Sequence, residues 1–151
     1  MTQEDKELLL KDLCARLPYE IKGIRIYKPE EVVTLNEIIP RCKMNPNIGN
    51  GSFCELGFDK ISDFCTITEF KPYLFPMSSM TDAEQEELTQ EHRKDEMLYV
   101  ECLTRTAKGD NSMRGKVILH YAMDWCNKNH FDYRGLIEKE LAIDATGLNV
   151  Y

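Results

Sequence analysis

The first segment of the chain carries apolar residues at the spacing of a helix. They recur every three or four positions, at Leu9, Leu10, Leu13 and Leu17. This is the period of one face of an α-helix. Thr2 is a candidate N-cap, and the helix should end at Pro18 because proline cannot continue it. The pattern predicts an amphipathic helix over residues 2–17.

Apolar and polar residues alternate in the next part, which is typical of β-strands. Residues 20–35 predict a hairpin with its turn at residues 28–31. Residues 40–52 are rich in Asn, Gly and Pro and predict a turn-like segment. Further strands are predicted at residues 53–56 and 64–70.

Residues 71–76 cannot form a regular helix, because Pro72 and Pro76 lie four positions apart. We expect this segment to lie extended across the surface. Its contribution to the core would be the side chains of Tyr73, Leu74 and Phe75.

Two helices are predicted in the second half of the chain. Thr81 and Glu84 have the spacing of a capping box, which predicts a largely polar helix over residues 82–108. A second helix, capped by Ser112, has an apolar stripe within residues 117–125. The two should form a C-terminal helical pair.

These predictions define an α+β fold. A small antiparallel sheet, from about residues 20–70, would pack with the N-terminal helix and the C-terminal helical pair. From residue 131 onward the pattern is irregular and predicts an extended tail. No repeat or linker interrupts the chain, so residues 1–151 should form a single domain.

The charge balance excludes some classes of partner. Lys and Arg total 19 and Asp and Glu total 26, for a net charge of −7. Direct nucleic-acid binding is not expected, since proteins that grip phosphate backbones usually have a basic excess. There is no leader-like segment, and the apolar runs are too short to span a bilayer, so we expect a cytoplasmic protein without membrane contact. The six cysteines should then be reduced thiols.

Residues 109–116, GDNSMRGK, resemble a phosphate-binding loop only superficially. Five residues separate the glycines where the Walker pattern has four, and a hydroxyl residue does not follow the lysine. A helix–helix turn is the alternative interpretation. Arg114 and Lys116, near a helix N-terminus, remain candidates for holding an anion.

The segment Asp132-Tyr133-Arg134 is a second candidate site. Tyr133 and Arg134 are residue types that often dominate binding interfaces. The alternative is that Asp132 and Arg134 pair with each other and merely fix the loop. Trp125 is expected in the core rather than at a contact surface.

Other constellations carry weaker signals. His120 and Asp124 are four apart on a predicted helix, a spacing that can present two metal ligands, but further ligands are not evident. We therefore predict no metal and no cofactor. The acidic run within residues 82–96 fits either a mimic of nucleic-acid charge or, more commonly, a solvated helix face. No cysteine or serine has a nucleophile motif, so no catalytic residue is predicted.

Three runs of the sequence carry a family resemblance. They are KPYLFPMSSMT at residues 71–81, DYRGLIEK at 132–139 followed by LAI at 141–143, and the opening at residues 8–19. They resemble a family of small proteins encoded by Bacteroides-type gut bacteria and by their phages and mobile elements. Relatives often carry glycine where this chain has Glu140, so the tight turn that glycine favours is not indicated here. The resemblance implies a mobile-element context and transfers no catalytic residue.

Two functions remain open from the sequence. One is a non-enzymatic accessory protein that binds an unidentified host or phage macromolecule, with a protein as the expected partner. The alternative is a small-molecule or nucleotide-binding protein, either a binding protein alone or an enzyme, with a basic pocket near Arg114, Lys116 and Arg134. A pocket with converging aromatic and basic groups would favour the second function, and a flat exposed face would favour the first.

Overall fold

The computed structural model describes residues 1–43, 51–58, 64–91 and 111–151, with backbone alone at 40–43, 51–54, 89–91 and 111–119. The helices are α1 (Gln3–Arg16), α2 (Asp82–Glu91) and α3 (Asn111–Lys128). The strands are β1 (Ile21–Arg25), β2 (Lys28–Lys43), β3 (Gly51–Phe58), β4 (Phe64–Thr66), β5 (Phe70–Pro76), β6 (Phe131–Asp132) and β7 (Ile143–Asp144). Short 3₁₀ turns lie at Leu17–Tyr19, Ile67–Glu69 and Met77–Ser79.

The strands form one sheet in the order β4-β3-β2-β1-β5-β6, and β7 also pairs with β5. The neighbours from β4 to β5 are antiparallel, whereas β6 and β7 run parallel to β5. The predicted α+β class is confirmed. The sheet extends beyond residue 70, because β5 and the two short C-terminal strands join it.

The main core lies between α1 and the sheet. Leu9 and Leu13 of α1 are fully buried, which the helical spacing predicted. They pack in one cluster with inward-facing residues of the sheet, including Leu35 and Leu74, and with Leu136 of the C-terminal segment. Burying these side chains removes apolar surface from water and holds helix, sheet and tail together.

A second, smaller core lies beside α2 and α3. Trp125, Cys126 and Phe131 are buried there, and Leu88 of α2 packs against them. Trp125 is 3% exposed, as expected for a core residue. The described parts of the two C-terminal helices therefore meet over this cluster.

The predicted turn of the first hairpin is wrong. The chain turns at Ile26 and Tyr27, and Lys28 already pairs with Arg25. The register shifts immediately afterwards, so residues 29–31 are accommodated in a bulge of β2. Residues in a bulge and residues in a turn both lie outside the regular hydrogen-bond ladder of the sheet. Proline and acidic residues therefore suit a bulge as well as a turn.

Two strand boundaries also differ from the prediction. β2 continues to Lys43 and β3 begins at Gly51, so the turn-like segment is wrong at both ends, while residues 44–50 lie outside the described part. The predicted strand over residues 64–70 is interrupted at Ile67–Glu69. There the Glu69 carboxylate accepts hydrogen bonds from the backbone N–H and hydroxyl of Thr66, both at 2.8 Å, and stabilises a turn.

Residues 71–76 are extended, as predicted, but they form a strand inside the sheet rather than a segment across its surface. Tyr73 and Leu74 are buried, whereas Phe75 is half-buried.

The capping box at the start of α2 is confirmed. The Thr81 hydroxyl accepts from the Glu84 N–H at 3.3 Å, and the Glu84 carboxylate accepts from the Thr81 N–H at 2.7 Å. Residues 92–110, the rest of the predicted helix, lie outside the described part. α3 begins at Asn111, so Ser112 lies inside the helix and is not its cap. Within the described residues, no helix combines the length and apolar character needed to cross a membrane.

The C-terminal segment turns at Glu140, contrary to expectation. Glu140 has a φ of +57°, a left-handed conformation that normally favours glycine. The turn is held by backbone hydrogen bonds around it, such as Glu140 N–H to the Ile137 carbonyl at 3.0 Å. The packing of Leu141 in the main core fixes the backbone despite the side chain.

Candidate functional site

Tyr133 and Arg134 lie in a partly buried network rather than on an open surface. The Arg134 Nε donates to the Asp12 Oδ1 at 3.1 Å, and its Nη2 donates to the Tyr133 hydroxyl at 2.6 Å. That hydroxyl donates to the Asn127 Oδ1 at 3.1 Å. The Arg134 side chain is 11% exposed. Both residues are therefore engaged within the chain.

Asp12 is shared by two guanidinium groups. Arg16, one turn further along α1, donates to both carboxylate oxygens at 2.7 and 3.1 Å. The remaining donors of Arg16 reach the carbonyl of Cys126 at 3.2 Å and that of Phe131 at 2.8 Å. Asp12 and Arg16 are both 0% exposed. This network ties α1 to the end of α3 and to β6.

The sequence contains one signal for this network, although Asp12 and Arg16 were not among the predicted site residues. Asp12 and Arg16 are four apart and fall on the same helical stripe as Leu9 and Leu13. A charged pair within an apolar stripe must be paired when the stripe is buried. The sequence does not indicate that Arg134 is the second partner of Asp12, because the two residues lie 122 positions apart.

Asp132 fixes the loop, but not by pairing with Arg134. Its carboxylate accepts hydrogen bonds from the backbone N–H groups of Leu136 at 2.9 Å and Ile137 at 2.8 Å. The expected Asp132–Arg134 pair is thus wrong, because the carboxylate turns to the backbone that follows it.

Arg114 and Lys116 lie in the first two turns of α3, and their side chains are outside the described part. Thirteen residues separate Arg114 from Asn127, which corresponds to roughly 20 Å along the helix axis. Arg134 lies at the Asn127 end through its contact with Tyr133. The structure brings Tyr133 and Arg134 together and places the backbone of Arg114 and Lys116 near the other end of α3.

The other predicted constellations take structural roles where they are described. Asp124 accepts a hydrogen bond from the Tyr19 hydroxyl at 2.6 Å, and His120 is exposed. Among described residues, no three His, Cys, Asp or Glu side chains cluster to hold a metal ion. Burial raises the pKa of the Cys126 thiol, which keeps it protonated and unreactive.

A cleft of about 400 Å³ lies where the start of α2, the end of α3 and the C-terminal tail meet β5. Its volume is within the range of small-molecule sites. We call it the aromatic cleft, because four rings line it, those of Phe75, His130, Phe131 and Tyr151. The remaining lining residues are Ser79, Thr81, Glu84, Lys128, Asn129, Thr146 and Gly147.

The end of α3 explains how His130 reaches the cleft. The helix is terminated by Asn129, whose N–H and side-chain Nδ2 both donate to the Trp125 carbonyl at 3.0 Å. His130 then takes a left-handed φ of +59°, which reverses the chain into β6. Its carbonyl accepts a hydrogen bond from the Phe75 N–H at 2.9 Å, so the turn is locked to β5.

The rings of the cleft pack against one another. His130 stacks on Tyr151 with ring centroids 3.8 Å apart and planes 13° apart. Phe131 stacks on Trp125 at 5.5 Å, with planes 10° apart. Phe75 is tilted against both Phe131 and Tyr151 at 6.1 Å. The cleft therefore has a wall of ordered aromatic side chains.

His130 is the unusual polar group of this wall. The residue is 8% exposed, and its Nδ1 is buried and has no hydrogen-bond partner among the residues that the structure describes. Burial, with a smaller contribution from Arg16 and Lys22, lowers its pKa to about 4. The imidazole is therefore neutral at pH 7. A buried polar atom without a partner is costly, and at a cleft it indicates a place that water or a ligand fills.

Opposite charges flank this neutral group. Hydrogen bonds from Thr81 lower the pKa of Glu84, which is ionised at neutral pH. Lys128 is exposed at the end of α3 and is the cation of the cleft lining. Burial raises the pKa of Tyr151 to about 12, so its hydroxyl stays protonated and donates to the Tyr73 carbonyl at 3.0 Å. These groups can orient a bound molecule.

This cleft was not predicted from the sequence. Its rings come from segments far apart in the chain, at residues 75, 130–131 and 151. Comparisons with protein family models, with curated proteins and with solved structures found no match to this chain. A function can therefore be inferred only from the geometry of the described site.

Proposed function

We propose that this protein binds a small molecule in the aromatic cleft. The observation that carries the proposal is the combination of a ligand-sized space, an aromatic wall and the buried, unpartnered Nδ1 of His130. Small-molecule sites are typically concave and mostly apolar, with a few placed polar groups. The aromatic cleft has this composition.

This site differs from the basic pocket proposed from the sequence. Arg134 is engaged with Asp12 and Tyr133 and is not part of the cleft lining. Lys128 supplies the basic group instead. The class of function is retained, and the residues proposed to carry it change.

Native mass spectrometry of gently purified protein tests the proposal. We expect a bound mass of metabolite size on the wild-type chain. Thr146→Phe places a ring into the cleft from an exposed position and should remove that mass, because the space is filled. Thr146→Ser is the matched control and should retain it. A bare wild-type chain, or a mass that survives Thr146→Phe, would overturn the proposal.

A second candidate function is supported by a separate surface. Ile26, Tyr27 and Val32 are 50%, 52% and 49% exposed at the β1–β2 hairpin. We call these three residues the hairpin tip. Adjacent exposed apolar side chains often mark protein interfaces. This surface supports the accessory-protein hypothesis, with a cytoplasmic protein of the encoding cell as partner.

Affinity purification from those cells tests the second candidate. A partner bound at the hairpin tip should be lost from the double variant Ile26→Thr and Val32→Thr, since threonine keeps the β-branched shape and removes apolar contact. Leu148→Thr alters an exposed apolar residue elsewhere and should leave the partner bound. Equal recovery from both variants would exclude the hairpin tip as the interface.

A further inference from the structure

We infer that the aromatic cleft selects an uncharged, flat heteroaromatic molecule about the size of a nucleobase. This inference rests on the proposed function and adds the chemical class of the ligand. It follows from the shape of the wall, the balance of charge and the polar atoms that the wall presents.

The shape of the wall favours a flat ligand. Phe75 is tilted by 51° against Phe131 and by 52° against Tyr151, so the aromatic lining of the cleft combines rings of different orientation. Aromatic rings prefer offset stacking or edge-to-face contacts, and a flat ring can satisfy both at once. An aliphatic molecule of equal volume gains only the burial of its surface.

The balance of charge disfavours an ion. The cleft lining contains one carboxylate, Glu84, and one ammonium group, Lys128, and the described lining has no further acidic or basic side chain that is charged at neutral pH. An anion is attracted to Lys128 and repelled by Glu84, and a cation experiences the reverse. A net charge on the ligand therefore adds little to the binding free energy, while removing that charge from water remains costly.

The polar atoms favour a ring that contains nitrogen. The neutral His130 imidazole has one nitrogen that donates and one that accepts, and no described residue forms a hydrogen bond with its Nδ1. Asn129 is fixed by its bond to the Trp125 carbonyl, and Ser79 by its bond to the Pro76 carbonyl at 2.8 Å. A heteroaromatic ring with both an N–H and a bare nitrogen complements such a mixed set of donors and acceptors.

The stack of Tyr151 on His130 defines how such a ligand reaches the unpartnered nitrogen. The Tyr151 ring lies 3.8 Å from the imidazole and is 39% exposed. Because a hydrogen bond to Nδ1 lies in the plane of the imidazole, a ligand that makes this bond contacts the edge of the stacked pair. Binding should therefore change the environment of both rings.

The chain carries its own probe for this test. Trp125 is the single tryptophan, and its ring stacks on Phe131, which lines the cleft. Fluorescence of Trp125 should respond to a molecule that contacts the other side of Phe131. Calorimetry on the same samples measures affinity without relying on the probe.

The experiment titrates the full chain with adenine and nicotinamide as uncharged heteroaromatic molecules. Benzoate, cyclohexanol and inorganic phosphate serve as the flat anion, the uncharged aliphatic ring and the simple anion. We expect adenine or nicotinamide to bind about tenfold or more tightly than the other three, as ring stacking predicts. Phe75→Leu should remove most of this preference, whereas Phe64→Leu, at an exposed phenylalanine outside the cleft, should not.

A charge variant gives an independent check. Glu84→Gln removes the carboxylate charge but keeps a side chain that completes a capping box. The ratio of benzoate affinity to adenine affinity should rise several-fold, because the repulsion of the anion by Glu84 is removed. An unchanged ratio would contradict the argument from charge.

The outcomes separate the ligand class from the proposed function. If cyclohexanol or phosphate binds as tightly as adenine and Thr146→Phe abolishes binding, the class is wrong and the cleft is still a binding site. If none of the probes binds and the native chain carries no bound mass, both the class and the proposed function are wrong.

Discussion

At the scale of single residues, buried charge is the dominant feature of this chain. Asp12 carries two guanidinium partners, and both Asp12 and Arg16 are removed from water. A buried ion pair need not add stability relative to apolar residues, but removing one partner leaves an uncompensated charge. The network therefore makes Asp12 indispensable to the junction of α1, α3 and β6.

Replacement of Asp12 tests this network. Asp12→Ala leaves the buried guanidinium of Arg16 and the partly buried guanidinium of Arg134 without their carboxylate, and it should lower the free energy of unfolding by about 3–5 kcal/mol. Urea denaturation measures the change. Glu4→Gln, at an exposed position on the same helix, should stay within about 0.5 kcal/mol of wild type. A loss of the same small size for Asp12→Ala would show that the network is not buried as described.

Glu140 offers a change that stabilises the fold. Its φ of +57° strains a residue with a Cβ atom, and glycine adopts this conformation without strain. Glu140→Gly should raise the free energy of unfolding by roughly 1 kcal/mol. Lys139→Gly, at the exposed neighbouring residue, should lower it by about 0.5–1 kcal/mol. Thermal melting distinguishes the two signs, and a loss of stability in Glu140→Gly would contradict the strained turn.

His130 should make stability depend on pH between about 6.5 and 4. Its pKa is about 4 in the folded chain, below the unfolded value of 6.5. Between these values the unfolded state binds more protons, so stability is fully present above pH 6.5 and falls as the pH drops towards 4. The expected loss is on the order of 3 kcal/mol, with Arg16 and Lys22 opposing protonation.

Chemical denaturation across this pH range measures the effect. His130→Asn removes the titrating group and suits a left-handed backbone, so its stability should vary far less with pH. His120→Gln, at an exposed histidine, should keep the wild-type dependence. A wild-type profile that is flat from pH 6.5 to 4 would show that the imidazole is not buried in its neutral form.

At the scale of secondary-structure elements, the sequence correctly predicted the features that depend only on residues close together in the chain. The spacing of Leu9 and Leu13 and the capping box at Thr81 depend only on neighbouring residues, and both predictions are confirmed. The hairpin turn was wrong because residues 29–31 suit a bulge as well as a turn. The place of β5 inside the sheet depends on β6 and β7, which are two residues long and have no detectable period.

The candidate site was less predictable than the fold because it depends on contacts between residues that are far apart in the sequence. Tyr133 and Arg134 were identified by residue type, which does not distinguish an exposed hot spot from an internal hydrogen-bonded pair. Their partner Asp12 lies more than a hundred residues away in the sequence. The aromatic cleft likewise assembles rings from distant segments, and only the tertiary structure brings them together.

The pairing of β1 with β5 depends on a close approach at Gly23. A Cβ atom there would lie 2.4 Å from the Lys71 carbonyl oxygen and 2.5 Å from the Phe70 ring. Gly23→Ala must therefore push the two strands apart, and we expect a loss of about 1–3 kcal/mol in unfolding free energy. Gly57→Ala is the matched control, because the three atoms nearest to its Cβ would all belong to the flexible side chain of Glu37.

Urea denaturation of both alanine variants decides the point. Gly57→Ala should differ from wild type by less than Gly23→Ala, since Glu37 is exposed and can move. Equal effects at the two glycines would contradict the tight pairing of β1 with β5.

At the scale of the whole molecule, two surfaces are candidates for the binding site. The aromatic cleft lies where α2, α3 and the tail meet, and the hairpin tip lies at the turn between β1 and β2. The cleft has a ligand-sized volume, an aromatic lining and an imidazole nitrogen that no described residue bonds, as expected for a ligand site. The hairpin tip has exposed apolar side chains, which fit a protein partner. Binding at each surface should perturb a different set of residues.

Chemical-shift mapping of the isotope-labelled chain tests directly whether a small molecule binds in the aromatic cleft. The small-molecule fraction of an extract from the encoding cells is added, and backbone amide shifts are followed by NMR. We expect shifts concentrated at residues 128–131, 146, 147 and 151, which line the aromatic cleft, and their disappearance in Thr146→Phe. Shifts confined to the hairpin tip, or a spectrum that does not change, would contradict binding in the aromatic cleft.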